Sequence, residues 1–316
     1  MSRPPTPPSN TRRHPERRQS EQNPGRIIAH LGKRIIIEDE HGQQHRCSAR
    51  RNLPALVCGD QIYWHYPDPK SCIIHELQPR KTLLARPDAR GKQKIIAANI
   101  DQILIVCAPH PELNEGLLDR YLVAATLTGI NPVIVLNKTD LLDQKTLAQY
   151  RQRLLVYQQL GYPIIYTSAH EDEAFNHLNA CLHAKTSILV GQSGVGKSSL
   201  LNRLLPEVNA RIGEVSDATG KGRHTTTTAR LYHLPDSGSL IDSPGIREFG
   251  LWNVSPEQLA QGFPEFVARQ GQCRFRDCKH RNEPGCAILA GVENDEISPL
   301  RHASYLRILA SLEETG

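Results

Sequence analysis

Residues 186–199, TSILVGQSGVGKSS, are the strongest indication of an α/β domain in this chain. The run TSILV is typical of a short buried strand, and GQSGVGKSS after it satisfies the pattern G-x-x-x-x-G-K-[ST]. Its glycines let backbone N–H groups turn inward around phosphates, and the start of the following helix adds a favourable dipole. The alternative is a glycine turn that binds nothing. Because a predicted strand and a predicted helix flank the motif, we favour a phosphate-binding loop.

Within this loop, Lys197 is predicted to reach the β- and γ-phosphates of a nucleotide, and the hydroxyl of Ser198 to bind Mg²⁺. We expect every residue of the loop to contact the nucleotide: Gly191, Gln192, Ser193, Gly194, Val195, Gly196, Lys197, Ser198 and Ser199.

Apolar strands and helical stretches alternate before the loop. The runs QILIVCA, PVIVLN, PIIYTSA and TSILVG predict strands, with helices near residues 115–128, 145–160 and 172–183 and another that opens at Lys197. Continuous apolar runs separated by helices indicate parallel strands covered on both faces. The sequence therefore predicts an α/β domain over residues 95–251.

Residues 137–140, NKTD, follow the strand PVIVLN, where ligand sites gather in open α/β sheets. The Asp140 carboxylate can accept hydrogen bonds from N1–H and the exocyclic amine of guanine, whereas adenine presents the opposite polarity. Asn137, Lys138 and Thr139 are expected to support the base and the neighbouring loop. Ser168 and Ala169, in the SAH sequence that follows PIIYT, are predicted to back the guanine.

Residues 240–245, LIDSPG, place Asp242 at a strand end, where it can hold Mg²⁺ directly or through water. Gly245 is expected to donate its N–H to the γ-phosphate. Many GTPases carry a water-orienting Gln just after this motif, but this chain has Ile246. An apolar side chain cannot position water, so we expect unassisted hydrolysis to be slow and a partner to complete the site.

Residues 219–232, TGKGRHTTTTARLY, are predicted to form the first switch. Thr225 or Thr226 supplies a hydroxyl to Mg²⁺ in this interpretation, and His224 orients the attacking water. The alternative for His224 is an exposed loop histidine. The predicted catalytic set is Lys197, His224, Thr225 and Asp242, and the predicted magnesium set is Ser198, Thr226 and Asp242.

The order of these motifs is unusual. In the translation-factor class of GTPases, which this domain resembles, the phosphate loop comes first and the guanine motif comes near the end. Here residues 137–140 precede residues 191–199, and Asp242 comes last. The sequence thus predicts a circularly permuted P-loop GTPase domain.

The N-terminal part has a different composition. Residues 1–24 are rich in Pro and Arg with almost nothing to bury, so we expect a disordered basic tail, either simply solvated or reaching phosphate backbones. Residues 25–87 hold short β-rich runs and predict a small OB-like barrel, followed by a basic linker, RPDARGKQK. The barrel is either an ordinary one or an oligonucleotide face formed by basic residues with Tyr63, Trp64 and Tyr66.

Residues 252–316 are predicted to form a helical module around a metal. The run CRFRDCKHRNEPGC supplies three thiolates and one imidazole, which fill a tetrahedral structural Zn²⁺ shell. The alternative is a set of reduced surface thiols. The predicted ligands are Cys273, Cys278, His280 and Cys286, and the predicted phosphate-facing basic rim is Arg274, Arg276, Lys279, Arg281 and Arg301.

Composition limits the remaining possibilities. The chain has 316 residues, a net charge of +5 and eight Cys, too few for a disulfide scaffold at this length. Cys107 is interpreted as a core residue, and Cys47, Cys58, Cys72 and Cys181 show no partner. The longest apolar run, residues 103–108, is far short of a membrane span, and no signal peptide follows Met1. We therefore expect a cytoplasmic protein without membrane contact, and a monomer by default.

A β-barrel, a GTPase with permuted motifs and a Cys₃His module together resemble the bacterial GTPases that depend on the small ribosomal subunit, the RsgA or YjeQ family. The resemblance covers residue 25 to the C-terminus and rests on NKTD, GQSGVGKSS, GRHTTT, DSPG and the Cys/His cluster. It implies a GTP hydrolase that is stimulated by the 30S subunit, binds 16S rRNA and helps release assembly factors during late maturation. The alternatives are an RNA-binding chaperone whose GTP site only sets its conformation, and a regulatory switch with a non-ribosomal target.

Overall fold

The structure is a computed structural model, and it describes residues 23–31, 34–87, 93–206, 229–235, 237–243, 251 and 254–315. Its N-terminal strands are β1 (Asn23–Leu31), β2 (Arg34–Asp39), β3 (Gln44–Ala49), β4 (Gln61–Asp68) and β5 (Ser71–Leu77). They follow the order β1-β2-β3-β5-β4, and β4 pairs with β1 to close a barrel. A small five-stranded barrel of this kind belongs to the OB class. The OB-like prediction is confirmed.

Side chains alternate between the inside and outside of the barrel. On β4, Ile62 and Trp64 point inward, and only 4% of Trp64 is exposed. The Trp64 indole Nε1–H donates to the carbonyl oxygen of Pro24 at 3.2 Å. The prediction that Trp64 contributes to an outer nucleic-acid face is therefore wrong, because the two-residue period of the strand places it in the core. Tyr66 lies at the surface with 49% of its area exposed.

Two cysteines without a visible partner in the sequence meet inside the barrel. Parallel pairing of β3 with β5 places Cys47 opposite Cys72, with their Cα atoms 4.4 Å apart. Their sulfur atoms form a disulfide, and both residues are buried. The pairing depends on strand order, which the spacing of the two cysteines does not reveal.

The stretch predicted as a basic linker contributes to a hairpin instead. Strand β6 (Leu83–Pro87) pairs antiparallel with β7 (Gln93–Ala98). Leu84 and Ala97 are fully buried and belong to the same apolar cluster as the first helix of the next domain. The many charged residues between them conceal the apolar positions that hold the hairpin to the fold.

A second group of strands continues the same sheet: β8 (Gln102–Cys107), β9 (Asn131–Leu136), β10 (Ile164–Tyr166), β11 (Thr186–Val190), β12 (Arg230–His233) and β13 (Ser239–Asp242). Their order is β10-β9-β8-β11-β13-β12, and β12 pairs antiparallel while the others are parallel. The helices between them are α1 (Glu115–Leu127), α2 (Gln144–Gln159), α3 (Asp172–Leu182) and α4 (Lys197–Leu204), with a 3₁₀ turn at Thr139–Leu141. The predicted parallel α/β domain is confirmed.

Alternate residues of β8 face opposite helical layers. Ile103 and Ile105 pack in a cluster with residues of α1 and α2, whereas Leu104 and Val106 pack in a cluster with residues of α3 and α4. Both faces of the strand are thus covered, as its continuous apolar run predicts.

The chain reverses direction across the sheet between β8 and β11. It runs outward from β8 through β9 to β10 and then returns to β11 on the other side of β8. In open α/β sheets, the carboxyl ends of the strands at such a reversal form a crevice that binds ligands. The loop after β11 is the GQSGVGKSS motif, so the topology places that motif at this crevice.

The barrel is joined to the α/β domain through the sheet. Strand β12 pairs with β13 on one side and meets β1 of the barrel on the other, where Ala29 lies opposite Arg230. His233 Nε2 lies 2.7 Å from a carboxylate oxygen of Glu38 on β2, and an Arg26 guanidinium nitrogen donates to Thr186 Oγ1 at 2.7 Å.

The C-terminal helices are α5 (Pro256–Gln261), α6 (Pro264–Val267), α7 (Ala287–Glu293) and α8 (Pro299–Thr315). Helices α5 and α8 pack against α1, and an added Cβ on Gly262, which follows α5, would lie 2.3 Å from a side-chain carbon of Val123. Arg301 on α8 is 1% exposed and pairs with both Asp119 on α1 and Glu265 on α6. Among the helices of the described ranges, none combines the length and apolar character that a membrane crossing requires.

Candidate nucleotide site and metal centre

The phosphate loop has backbone geometry that only glycine adopts with ease. Gly191, Gly194 and Gly196 have φ values of +139°, +85° and +93°. A Cβ on Gly191 would lie 2.2 Å from the carbonyl oxygen of Val106 on β8. The loop therefore folds tightly against the neighbouring strand, in a geometry that lets backbone amides turn toward a bound anion.

Lys197 begins α4 and folds back over the loop. Its Nζ donates to the carbonyl oxygens of Gly191 at 2.7 Å and Gln192 at 2.6 Å. The ammonium group thus lies over the cradle where the sequence predicts the β- and γ-phosphates. Ser198 and Ser199 follow it, exposed in the first helical turn.

Asp242 reaches the same edge of the sheet. It is the last residue of β13, which runs parallel to β11 with Ile241 opposite Ile188. Its exposed carboxylate therefore lies at the carboxyl end of a strand adjacent to the phosphate loop. The predicted partners for Mg²⁺, Ser198 and Asp242, are brought to one side of the crevice, and carboxylate and hydroxyl oxygens are suitable donors for this hard cation.

The guanine motif interlocks with the phosphate loop. Asn137 is buried, and its Nδ2 donates to the carbonyl oxygen of Val195 at 2.9 Å. Lys138 has φ +63°, and its Nζ donates to the carbonyl oxygens of Gly194 at 2.7 Å and His110 at 2.8 Å. Two motifs that are far apart in the sequence thus form one site.

Asp140 stands exposed at the mouth of this site. The Ser168 hydroxyl donates to Asp140 Oδ1 at 2.5 Å and accepts from the N–H of His170 at 3.0 Å. Thr139 Oγ1 donates to the carbonyl oxygen of Thr167 at 3.0 Å. The carboxylate is therefore oriented by the SAH loop, as recognition of a base requires.

Arg203, which belongs to none of the sequence motifs, positions that loop. One guanidinium nitrogen donates to the carbonyl oxygen of Ala169 at 2.8 Å, and the other pairs with Asp172. The guanidinium carbon lies 4.1 Å from the ring centroid of Phe175. Nothing in the sequence around this helical arginine points to the role, because both partners come from another part of the chain.

Four predicted site residues lie outside the described residues: His224, Thr225, Thr226 and Gly245. The roles assigned to these residues stay predictions. The slow unassisted hydrolysis expected from Ile246 also stays a prediction.

The Cys/His cluster assembles as predicted. One donor atom from each of Cys273, Cys278, His280 and Cys286 lies within 4.8 Å of the others. His280 Nδ1 is 3.4 Å from Cys286 Sγ and 3.6 Å from Cys273 Sγ, and the two sulfur atoms are 4.0 Å apart. With Zn–S bonds of about 2.3 Å, neighbouring donors of a tetrahedral shell lie roughly 3.8 Å apart. The donor set therefore fits a tetrahedral metal ion.

The surroundings set the protonation of these donors before a metal binds. Burial lowers the pKa of His280, which favours the neutral imidazole that binds metals, and its carbonyl oxygen lies 2.7 Å from His302 Nε2. Burial raises the pKa of the Cys278 thiol to about 12. Loading the site therefore displaces thiol protons, which couples metal affinity to pH.

The five residues of the predicted basic rim divide into three groups. Arg301 is not at the surface but buried in the contact with α1, so its assignment to the rim is wrong. Lys279 and Arg281 both pair with Glu313. Arg274 and Arg276 remain exposed beside the cluster.

The known proteins that resemble this chain in sequence are GTPases. The sequence model of the family described as RsgA GTPase matches residues 77–252. The chain is 52% identical over 291 residues to the small ribosomal subunit biogenesis GTPase RsgA of Pseudomonas aeruginosa PAO1, spanning 92% of this chain and 86% of that protein. The protein of the same name from Chromohalobacter salexigens is 52% identical over 292 residues, with 91% and 86% covered.

Two solved structures match most of this chain. The crystal structure of YjeQ from Thermotoga maritima matches with a TM-score of 0.77 and 32% identity, covering 92% of this chain and 98% of that one. YloQ, described as a circularly permuted GTPase, matches with a TM-score of 0.76 and 26% identity over 96% and 99%. The predicted permutation is confirmed, and with it the prediction of a GTP hydrolase. The chain belongs to the RsgA GTPase family.

Proposed function

We propose that this GTPase acts on the small ribosomal subunit late in its maturation, that the 30S particle stimulates its GTP hydrolysis, and that it contacts 16S rRNA and helps release assembly factors. Its relatives are named for small-subunit biogenesis, which supports the choice of partner. Because that partner is assembled in the cytoplasm, we propose that the protein is cytoplasmic. We also propose that it acts as a monomer.

The observation that carries the nucleotide assignment is the interlock between the guanine motif and the phosphate loop. Asn137 and Lys138 hold the carbonyl oxygens of Val195 and Gly194, so Asp140 stands at a fixed distance from the cradle. A purine nucleotide bridges such a pair of subsites with its base at one end and its phosphates at the other. The carboxylate selects guanine, because only guanine offers two donors at that edge.

The chain's residues divide the work of hydrolysis. The loop amides and Lys197 neutralise charge on the phosphates as water attacks in line. Ser198, Thr226 and Asp242 are the proposed holders of Mg²⁺, which when bound neutralises charge between the β- and γ-phosphates. Gly245 is proposed to donate to the γ-phosphate, Thr225 to complete the switch and His224 to orient water.

We propose that the Cys₃His cluster holds one structural Zn²⁺. Its four protein donors complete a tetrahedral shell, so no position is left for reactive water. The ion would fix the loops between α6 and α7, which have little regular structure of their own.

The decisive test is co-sedimentation with 30S subunits in the presence of a non-hydrolysable GTP analogue, followed by hydrolysis assays with GTP. We expect the protein to pellet with the subunit and to turn over GTP faster in its presence. Lys197→Ala should abolish the stimulated turnover. A protein that stays in the supernatant would support a non-ribosomal target, and wild-type turnover by the variant would overturn the assignment of the site.

A further inference from the structure

The loop between the first two cysteine donors exposes an aromatic ring. Residues 274–277, RFRD, are all exposed, and 43% of Phe275 is accessible to solvent. By contrast, Phe263 and Phe266 in the same module are 0% and 3% exposed. The module has a core that takes phenylalanine, yet this ring is kept outside it.

The loop that carries the ring is held on several sides. It lies between Cys273 and Cys278, which belong to the metal cluster. The Arg274 N–H donates to the carbonyl oxygen of Gly285 at 3.0 Å, and a Cβ on Gly285 would lie 3.0 Å from Arg274 Cβ. A ring presented on such a support loses little conformational entropy when a ligand stacks on it.

Two basic residues flank this ring in the sequence. The Arg274 guanidinium carbon lies 5.5 Å from the Phe275 ring centroid, and Arg276 follows directly. Lys279 and Arg281, by contrast, are neutralised by Glu313. Within the described ranges neither Arg274 nor Arg276 forms an ion pair, and the acidic residue of the loop is Asp277.

We propose that Phe275 is a stacking platform for an unpaired RNA base, with Arg274 and Arg276 contacting the flanking phosphates. An aromatic face between arginines matches the two parts of a single-stranded nucleotide, a flat base and an anionic backbone. A base in a duplex is already stacked and does not reach the ring. This inference rests on the proposed function, because the ribosomal subunit supplies the RNA.

The charge distribution favours RNA over a protein partner. Protein interfaces centre on apolar anchors inside well-packed pockets. Here the residues on either side of the ring are charged. A single ring flanked by cationic groups suits a base with its phosphates better.

The test uses the full-length, metal-loaded protein and a labelled oligouridylate that contains 4-thiouridine. We expect Phe275→Leu to weaken binding about fivefold or more, because leucine keeps the apolar volume but lacks the aromatic face. Phe275→Trp should bind the probe about as well as the wild type does. Irradiation of the wild-type complex should cross-link 4-thiouridine to Phe275. Val267→Ala is the matched control, since Val267 is 44% exposed in the same module. Metal content and melting temperature verify that each variant is folded.

Two outcomes would overturn the proposal: unchanged oligouridylate binding by Phe275→Leu, or an equal loss of binding to duplex RNA. Unchanged oligouridylate binding together with a loss of 30S stimulation would assign the ring to a ribosomal protein. If 30S subunits fail to stimulate the wild-type enzyme while Phe275→Leu still loses the probe, the proposed function is wrong and the platform stands.

Discussion

Asn137 Nδ2 donates to the carbonyl oxygen of Val195 at 2.9 Å, across 58 residues of sequence. This hydrogen bond ties the base-recognition motif to the phosphate cradle. A Cβ on Gly196 would lie 2.3 Å from the same Nδ2, so the two motifs are packed as closely as the backbone allows.

Asn137→Ala should weaken GDP binding about tenfold. The substitution leaves the Val195 carbonyl oxygen without its donor and releases the loop, at a cost of about 1 to 3 kcal/mol. Calorimetric titration with GDP measures the effect. Asn131→Ala is the control. Asn131 is exposed at the start of β9, and its side-chain amide donates the same kind of hydrogen bond to the carbonyl oxygen of Asp101. Equal affinities for the two variants would contradict the interlock.

Asp140→Asn should lower GDP affinity at least about tenfold and leave weak ADP binding unchanged. In the proposed site the carboxylate accepts two hydrogen bonds from guanine, and hydrogen bonds to charged groups are worth about 1.5 to 3 kcal/mol each. Titrations with GDP and ADP measure the discrimination. Asp143→Asn is the control, since Asp143 caps α2 by accepting from the Thr146 N–H. A wild-type protein that binds GDP and ADP equally would refute guanine selection.

Gly191→Ala should destabilise the fold far more than Gly129→Ala. Both glycines have positive φ, but an added Cβ at Gly191 meets the Val106 carbonyl oxygen, while the space around Gly129 is open within 4 Å. Backbone strain alone costs about 1 to 2 kcal/mol. Urea denaturation followed by circular dichroism compares the two variants. The clash is not real if their midpoints coincide.

Cys278→Ser should lower the bound metal below one equivalent and reduce the melting temperature. The substitution removes one of four donors, and a structural site contributes directly to folding. Elemental analysis and calorimetry measure both effects. Cys181→Ser, at a half-buried cysteine far from the cluster, should keep its metal. Full metal content in Cys278→Ser would show that this thiol is not a ligand.

Arg301→Met should cost about 3 to 5 kcal/mol of unfolding free energy, because two buried carboxylates, Asp119 and Glu265, lose their shared cation. Arg269→Met breaks an exposed pair with Glu296 and should cost less than about 1 kcal/mol. Chemical denaturation compares them. Similar losses in both variants would mean that burial does not increase the contribution of the Arg301 ion pairs to the free energy of unfolding.

The same variant should show an altered pH dependence of stability. Burial raises the pKa of Asp119 even with Arg301 beside it, and removing the cation raises this pKa further. The folded state then binds more protons than the unfolded state, so stability falls as pH rises above the unfolded pKa. Arg301→Met should therefore lose less stability near pH 5 than near pH 7. Denaturation at both pH values measures the difference, and a deficit that is larger at pH 5 would contradict it.

Much of the fold follows from patterns within short windows. The predicted helix at residues 115–128 is observed at Glu115–Leu127, and the helix predicted to open at Lys197 begins there. Asn114 caps the first of these by accepting from the Leu117 N–H. Apolar periodicity and capping are local properties, so the sequence exposes them directly.

Contacts between side chains that are distant in the sequence could not be predicted in the same way. From the sequence, Arg301 looks like an exposed residue of the basic rim, and Trp64 looks like part of an exposed aromatic run. Each is buried because a distant element covers it: α1 supplies Asp119 to Arg301, and the barrel closes around Trp64. Residue type and spacing do not report which faces meet.

Short sequence patterns are enough to predict the phosphate loop, the role of Asp140 in guanine selection, the permuted motif order and the four candidate metal donors. Each depends on residue types at fixed short spacings, which set backbone geometry and donor atoms locally. Strand pairing and packing establish, in contrast, that β12 joins the barrel to the GTPase sheet, that Cys47 faces Cys72, and that Arg203 holds the SAH loop. These contacts depend on strand order and on the packing of whole surfaces, which no short window of sequence contains.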